Sequence, residues 1–591
     1  MAGVSMSARR ESDYLIPGIV AVYLVLVAGG LLSAFLSGHG FPTHNVAEAS
    51  RVILYPRDPS RAWGVAVGSA LLYWSCTAVV IIIVAVIPLY VGHRFKGRAR
   101  RKADDPTKLP GLADRDEVKA AAGKKQLLAQ GSTIRPSVKR PKPRDLGFQL
   151  GESHRVDCRS SYELSIGVVG PPRSGKGQNF VIPWILDAPG AVVTTSTKID
   201  NLAVTMIARD QRGPVTIVDP EGLASGVTRV TGSLRWSPLR GCEDPTTAMR
   251  RASTLCAGVG DGVKDAGLWV KETEIVSQCL LHAGAIEGRT ASDLLRWSLS
   301  ASNSREAVKI LAEHPSATPG WSQALDGVIS SDERHRDIVW SFVRTVFAPL
   351  ADPKVVAQLT PEPGREFDPL EFLQNNGTLY LLGTAGGSMV MENFIAALIQ
   401  DIVDVAYHEA GASISGRLDP PCSLILDEAA NYPLRSLGGL MSTGGGNGIT
   451  TVAVVQSLAQ LRAQFGIETA QAIWDSTNVK LYLPGSSAVS DLRDVSQLIG
   501  ERDVTETSTT YHESGERSFT ESTRRHPIVD PAMIRSIKKG HALLVLHSAK
   551  PIMLTLKPWT KRKDARKLRA DKKAVEKMLR EGARAKGRNG A

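Results

Sequence analysis

Gly170-Pro-Pro-Arg-Ser-Gly-Lys-Gly177 follows the apolar run Ser165-Ile-Gly-Val-Val169 and precedes the helix-like segment Gln178-Asn-Phe-Val-Ile-Pro183. A strand, a glycine-rich loop and a helix N-terminus in that order make a phosphate-binding loop. Glycines let the backbone fold round a polyphosphate, amides and the helix dipole face the anion, and Lys176 reaches its terminal phosphates. The expected nucleotide-binding segment is Gly170, Pro171, Pro172, Arg173, Ser174, Gly175, Lys176, Gly177 and Gln178, with Lys176 also catalytic. Short Gly/Ser/Lys strings occur in ordinary turns as well, so the context carries the reading. The Ser or Thr that usually follows the lysine and binds magnesium is Gly177, which leaves the pattern GxxxxGK without its last letter.

Downstream, short apolar runs recur at Ala191–Thr195, Val215–Asp219, Thr378–Gly383, Ser423–Asp427, Thr450–Val455 and Val479–Pro484. Near-continuous apolar strands of this kind belong in a parallel sheet covered by helices, and such a sheet binds ligands at the carboxyl ends of its strands. Leu424-Ile-Leu-Asp427-Glu428 puts two carboxylates at one of those ends. Asp427 is the expected magnesium ligand, directly or through water, and Glu428 the group that orients and deprotonates the attacking water. Gln456 closes the next strand, where its amide senses the terminal phosphate or positions water; the alternative is a simple polar strand cap. Between Thr246 and Pro361 the period turns helical and predicts an all-helical insertion. His541–His547 and Pro551–Lys557 predict a closing hairpin.

The chain has 591 residues, 43% of them hydrophobic and 22% charged, and a net charge of +12. Residues 560–591 hold thirteen Lys/Arg against four Asp/Glu, a surplus of nine. That basic tail reads as a solvated helix or as a contact for nucleic acid or anionic lipid. Six cysteines without a CxxC pair exclude a disulfide framework and a zinc site. Residues 14–36 and 62–92 are apolar enough to cross a bilayer. They predict two transmembrane helices joined by a short external loop, 37–61. Six basic residues between His93 and Lys102 hold that flank inside. The expected location is a membrane, multi-pass, with residues 1–13 and the large domain cytoplasmic. A basic linker, 93–150, then leads to the ATPase domain in two parts, 151–245 and 362–559, around the 246–361 insertion.

The chain resembles the coupling proteins of type IV secretion and bacterial conjugation, the TraG/TraD-like group. The resemblance rests on Gly170–Gln178, Lys198, Val218-Asp-Pro220, Trp236-Ser-Pro-Leu239, Gly377-Thr-Leu-Tyr380, Leu426-Asp-Glu-Ala429, Val455–Leu461 and Leu498-Ile-Gly-Glu-Arg502. It implies an α/β fold: a RecA-like P-loop NTPase domain with an all-helical insertion, preceded by two transmembrane helices. It further implies ATP and Mg2+ as cofactors, a homohexamer, and the type IV secretion channel and the lipid bilayer as partners. The cargo it implies is single-stranded DNA or a relaxase-DNA complex.

Two positions depart from the group's pattern. Thr195-Ser-Thr-Lys198 stands where many relatives have Asp-Pro-Lys. Gly445 stands where relatives often carry an arginine that resembles a finger acting on the neighbouring subunit's phosphate. Arg502, Arg462 and Arg435 are the alternatives, and none is assigned. Asn447 and the basic tail are candidate strand contacts. Two other functions fit part of the pattern: an FtsK-like double-strand translocase, which calls for a C-terminal winged-helix module, and a substrate receptor with little ATPase activity.

Overall fold

The computed structural model describes residues 5–42, 46–84, 109–219, 224, 227, 235–260, 266–362, 364–383, 389–432, 434–511, 517–547 and 549–589. The chain divides into two compact units, Met1–Asp105 and Pro106–Ala591.

In the first unit a long helix, Ser5–Leu36, packs against a short one, Pro59–Trp63, and against a helix over 70–84. Gly29 and Gly30 permit the approach. A Cβ on Gly29 would lie 2.1 Å from Thr77 Oγ1, and one on Gly30 would lie 2.2 Å from the Trp63 ring. The Tyr73 hydroxyl donates to the Leu26 carbonyl at 2.9 Å, and Ser33 donates to the Val67 carbonyl at 2.6 Å.

The expected multi-pass membrane location is corrected here: among the described residues no helix is long and apolar enough to cross a membrane. About 20 consecutive apolar residues are needed. Residues 62–69, expected to open the second span, instead end the short helix and turn, with Trp63 and Val67 buried, so the second helix begins only at 70. Positions 85–92, the rest of that span, lie outside the described residues, as do the side chains of 14–19.

The second unit is built on an eleven-stranded sheet. Its strands are β1 (Gly147–Ser153), β2 (Val156–Ser161), β3 (Ile166–Val169), β4 (Val192–Ser196), β5 (Val215–Val218), β6 (Thr378–Leu382), β7 (Cys422–Asp427), β8 (Ile449–Val455), β9 (Val479–Tyr482), β12 (His541–Leu546) and β13 (Ile552–Thr555). A separate ribbon pairs β10 (Glu501–Tyr511) with β11 (Arg517–Pro527). The spatial order is β2-β1-β13-β12-β9-β3-β8-β7-β4-β6-β5. From β9 to β5 every pairing is parallel, and from β12 to β2 every pairing is antiparallel. All six apolar runs read as strands are strands, and the closing hairpin is β12–β13. The parallel strands are rich in Val, Ile and Leu and almost wholly buried, as strands covered by helices on both faces are.

Among the described residues between β5 and β6 the regular elements are helices, including Pro245–Leu255, Ala266–Ile286 and Glu333–Phe347. The stretch expected as a linker is structured from 115 onward. Asp114 caps the helix Arg115–Ala122 by accepting from the N–H groups of Asp116 and Glu117. Val118, Leu127, Ile134 and Leu146 are buried against the sheet with Phe148 and Trp184. The apolar residues there are too sparse to show a period, and β1–β2 extends the sheet at its edge. The basic tail is a helix, Ala565–Asn589, anchored on Asp200–Asp210 through buried Leu568 and Val575.

Candidate nucleotide-binding site

The phosphate loop leaves the carboxyl end of β3. The Gly170 N–H donates to the Val455 carbonyl at 3.0 Å, which ties the loop's start to the end of β8. No side chain fits at 170, where a Cβ would come 2.6 Å from Leu483 and 2.7 Å from Ser174 Oγ. Arg173 and Gly175 both have left-handed backbones, φ 64° and 94°, and they turn the loop back on itself. The following turn, Gly177–Val181, is a π turn that passes into the helix Ile182–Asp187. Pro183, which has no N–H to return to the preceding turn, sits at that junction. Asn179 closes the loop, its Nδ2 donating to the Gly175 carbonyl at 2.8 Å.

Facing the loop is the end of β7. Thr195 Oγ1 on β4 donates to the Asp427 carbonyl at 2.7 Å. Asn201 Nδ2 donates to Asp427 Oδ2 at 3.2 Å. Burial raises the Asp427 carboxyl above the ordinary range, opposed by the Lys176 charge and reinforced by that of Glu428. Glu428 has a left-handed backbone, φ 59° and ψ 47°, an uncommon conformation for a residue with a Cβ. Its two carboxylate oxygens each accept a hydrogen bond, Oε2 from Asn431 Nδ2 at 3.2 Å and Oε1 from Gln456 Nε2 at 3.4 Å.

Lys176, Asp427, Glu428 and Gln456 therefore lie at the carboxyl ends of three neighbouring parallel strands, β3, β7 and β8. Three buried polar atoms of this site, Lys176 Nζ, Ser174 Oγ and Asp427 Oδ1, have no hydrogen-bond partner among the described residues. Buried polar groups without partners are rare. An ammonium and a hydroxyl on a turning loop, opposite a free carboxylate oxygen, suit the oxygens of a triphosphate and a divalent cation. Among the described residues no group of three or more His, Cys, Asp or Glu gathers as a metal site.

The arginine alternatives lie elsewhere. Arg462 is bound to Asp491 at 2.6 Å, Arg435 lies 3.8 Å from Glu274, and Arg502 stands on β10 opposite His526. Sequence reading missed Asn201, Asn431 and Thr195. Asn201 and Asn431 belong to no motif and Thr195 stands out only as a departure from one; the register of β4 beside β7 and the local turns bring them in.

Sheet order, phosphate loop and facing carboxylates define a RecA-like P-loop fold. Two family models then match the chain: one described as "Type IV secretory system Conjugative DNA transfer" over residues 115–229, the other as "TraM recognition site of TraD and TraG" over 421–539. The resemblance to type IV coupling proteins holds at both ends of the sheet domain. Among solved structures, the chain is similar to the unbound bacterial conjugative coupling protein TrwBdeltaN70, with 17% identity and a TM-score of 0.52 over 74% of this chain and 92% of that one. It is similar also to the plasmid coupling protein TrwB in complex with ADP and Mg2+, with 18% identity and a TM-score of 0.51 over 75% and 96%. At these identities the likeness is one of fold. No curated protein matches the sequence.

Proposed function

We propose that this chain is a nucleotide-driven coupling protein that recruits DNA or a relaxase-DNA complex and drives its export through a type IV secretion channel. The observation that carries the reading is the convergence of Lys176, Asp427, Glu428 and Gln456 on one end of the parallel sheet, with Lys176 Nζ and Asp427 Oδ1 buried and unpartnered. The loop Gly170–Gln178 holds the phosphates of ATP, with Lys176 neutralising the terminal ones. Asp427 holds Mg2+, which supplies charge neutralisation at the phosphate oxygens. Glu428, held by Asn431 and Gln456, accepts the proton of the attacking water, and Gln456 places that water against the same carboxylate. Coupling to DNA follows from the family resemblance, which also favours a homohexameric ring whose basic, backbone-tracking pore binds in a salt-sensitive way. Region 421–539, similar to a TraM recognition site of TraD and TraG, is the proposed docking place for a partner protein.

The reading is tested with purified full-length chain by phosphate release from ATP. Hydrolysis that Lys176→Ala abolishes supports it, and equal hydrolysis by the variant contradicts it.

A further inference from the structure

The hydroxyl missing at Gly177 leaves a question that the structure answers from another element. A Cβ built on Gly177 meets one atom within 4 Å, Asn201 Oδ1 at 3.5 Å. That is an ordinary contact, so sterics do not enforce the glycine. Asn201 opens the helix Asp200–Asp210 behind β4 and is 4% exposed. The orientation of its amide follows from its neighbours. Asp427 Oδ2 at 3.2 Å accepts only, and Ser196 Oγ lies at 3.4 Å, so Nδ2 faces the carboxylate. Oδ1 is then directed toward the space above Gly177, between the phosphate loop and Asp427.

We infer that Asn201 supplies the cation-shell oxygen that this loop lacks, its Oδ1 standing in for the hydroxyl absent at Gly177 while its Nδ2 fixes Asp427. An amide oxygen is a hard, neutral donor suited to Mg2+, either directly or through a bound water. It acts on the same region as a hydroxyl at 177, reached from the adjacent helix instead of from the loop. The unpartnered Asp427 Oδ1 is the second protein oxygen of that shell. Asn201 is a positioning residue for Asp427 in either case; the added content is the role of Oδ1. The inference rests on the nucleotide-binding reading above.

The test uses full-length protein with ADP as the nucleotide and Mn2+ as the metal probe. ADP affinity is measured in EDTA, and Mn2+ affinity of the ADP complex by electron paramagnetic resonance. The variants are Asn201→Leu, close in shape but without amide atoms, and the same change combined with Gly177→Ser. ADP affinity in EDTA is the reference for each variant, so that Mn2+ affinity is compared only between complexes already saturated with ADP. Mn2+ affinity falls on the order of 10–100-fold in the single variant and largely returns in the double. Unchanged Mn2+ affinity in Asn201→Leu overturns the inference. A loss that Gly177→Ser does not repair also overturns it, because Asn201 then only braces Asp427. Should leucine prevent folding by thermal melt, Asn201→Ala with and without Gly177→Ser is read the same way. Wild-type chain that binds no ADP, with or without metal, instead refutes the nucleotide reading itself.

Discussion

Gln456 Nε2 donates to Glu428 Oε1 at 3.4 Å and so joins the end of β8 to the residue just beyond β7. With Asn431 on the other oxygen, the Glu428 carboxylate is oriented before any ligand arrives. A base fixed in this way loses little entropy on reaching the reactive geometry.

Replacing Glu428 by Gln keeps the shape and removes the proposed base. ATP turnover is expected to fall by about 10²–10⁴-fold, with ADP affinity close to wild type. Phosphate release and a binding titration on the same preparation check both parts. Equal losses in binding and turnover would mean that Glu428 serves the fold and not the reaction.

Glu428 also stores strain. A residue with a Cβ in the left-handed region costs roughly 1–2 kcal/mol, which glycine does not pay. Glu428→Gly is therefore expected to stabilise the chain by about 1 kcal/mol while hydrolysis is lost. Chemical denaturation reads the first and phosphate release the second; a destabilised variant contradicts the account of strain.

Gly445 is held by backbone and has no room for a finger. A Cβ there would lie 1.8 Å from the Glu163 carbonyl oxygen, so any side chain forces the loop away. Gly445→Ala is expected to cost about 1–3 kcal/mol of stability. Gly445→Arg is expected to lose stability without any gain in turnover, measured by thermal unfolding and phosphate release.

Half-buried Glu392, near the start of the helix Met389–Ala412, has its carboxyl raised to about 7 by burial alone. The folded chain thus holds this proton more tightly than the unfolded one. The stability it contributes is complete below the ordinary value of 4.5 and is lost as pH rises through about 7. Glu392→Gln should raise the melting temperature at pH 8 and leave it nearly unchanged at pH 4. Melting curves at the two values decide; a gain at the acid value alone would reverse the sign.

Much of this architecture was legible because its signals are local. Each parallel strand is a short apolar run, and the loop from Gly170 to Gly177 states its own chemistry. What escaped reading depends on distant partners. The edge hairpin β1–β2 and the helices from 115 to 146 carry few apolar residues each, and Val118, Leu127 and Ile134 are core only because Phe148 and Trp184 complete the cluster. The tail helix has buried Leu568 and Val575 hidden among lysines and arginines, so charge masked its packing face. In the site, Lys176, Asp427, Glu428 and Gln456 stand out in the sequence through their motifs, and the fold brings them to the same end of the sheet. Asn201 does not stand out, because its place beside Gly177 and Asp427 exists only in the folded sheet. The membrane reading rested on hydropathy, flanking charge and resemblance, none of which registers that Trp63 and Val67 are buried where the chain turns.

The most direct measurement is ATP hydrolysis by the full-length chain without DNA, with single-stranded DNA and with duplex DNA, each repeated with Lys176→Ala. The account predicts turnover stimulated by single-stranded DNA and abolished by the alanine. Nucleotide binding without hydrolysis under any of the three conditions would contradict it and favour a substrate receptor, and stimulation by duplex alone would favour a double-strand translocase.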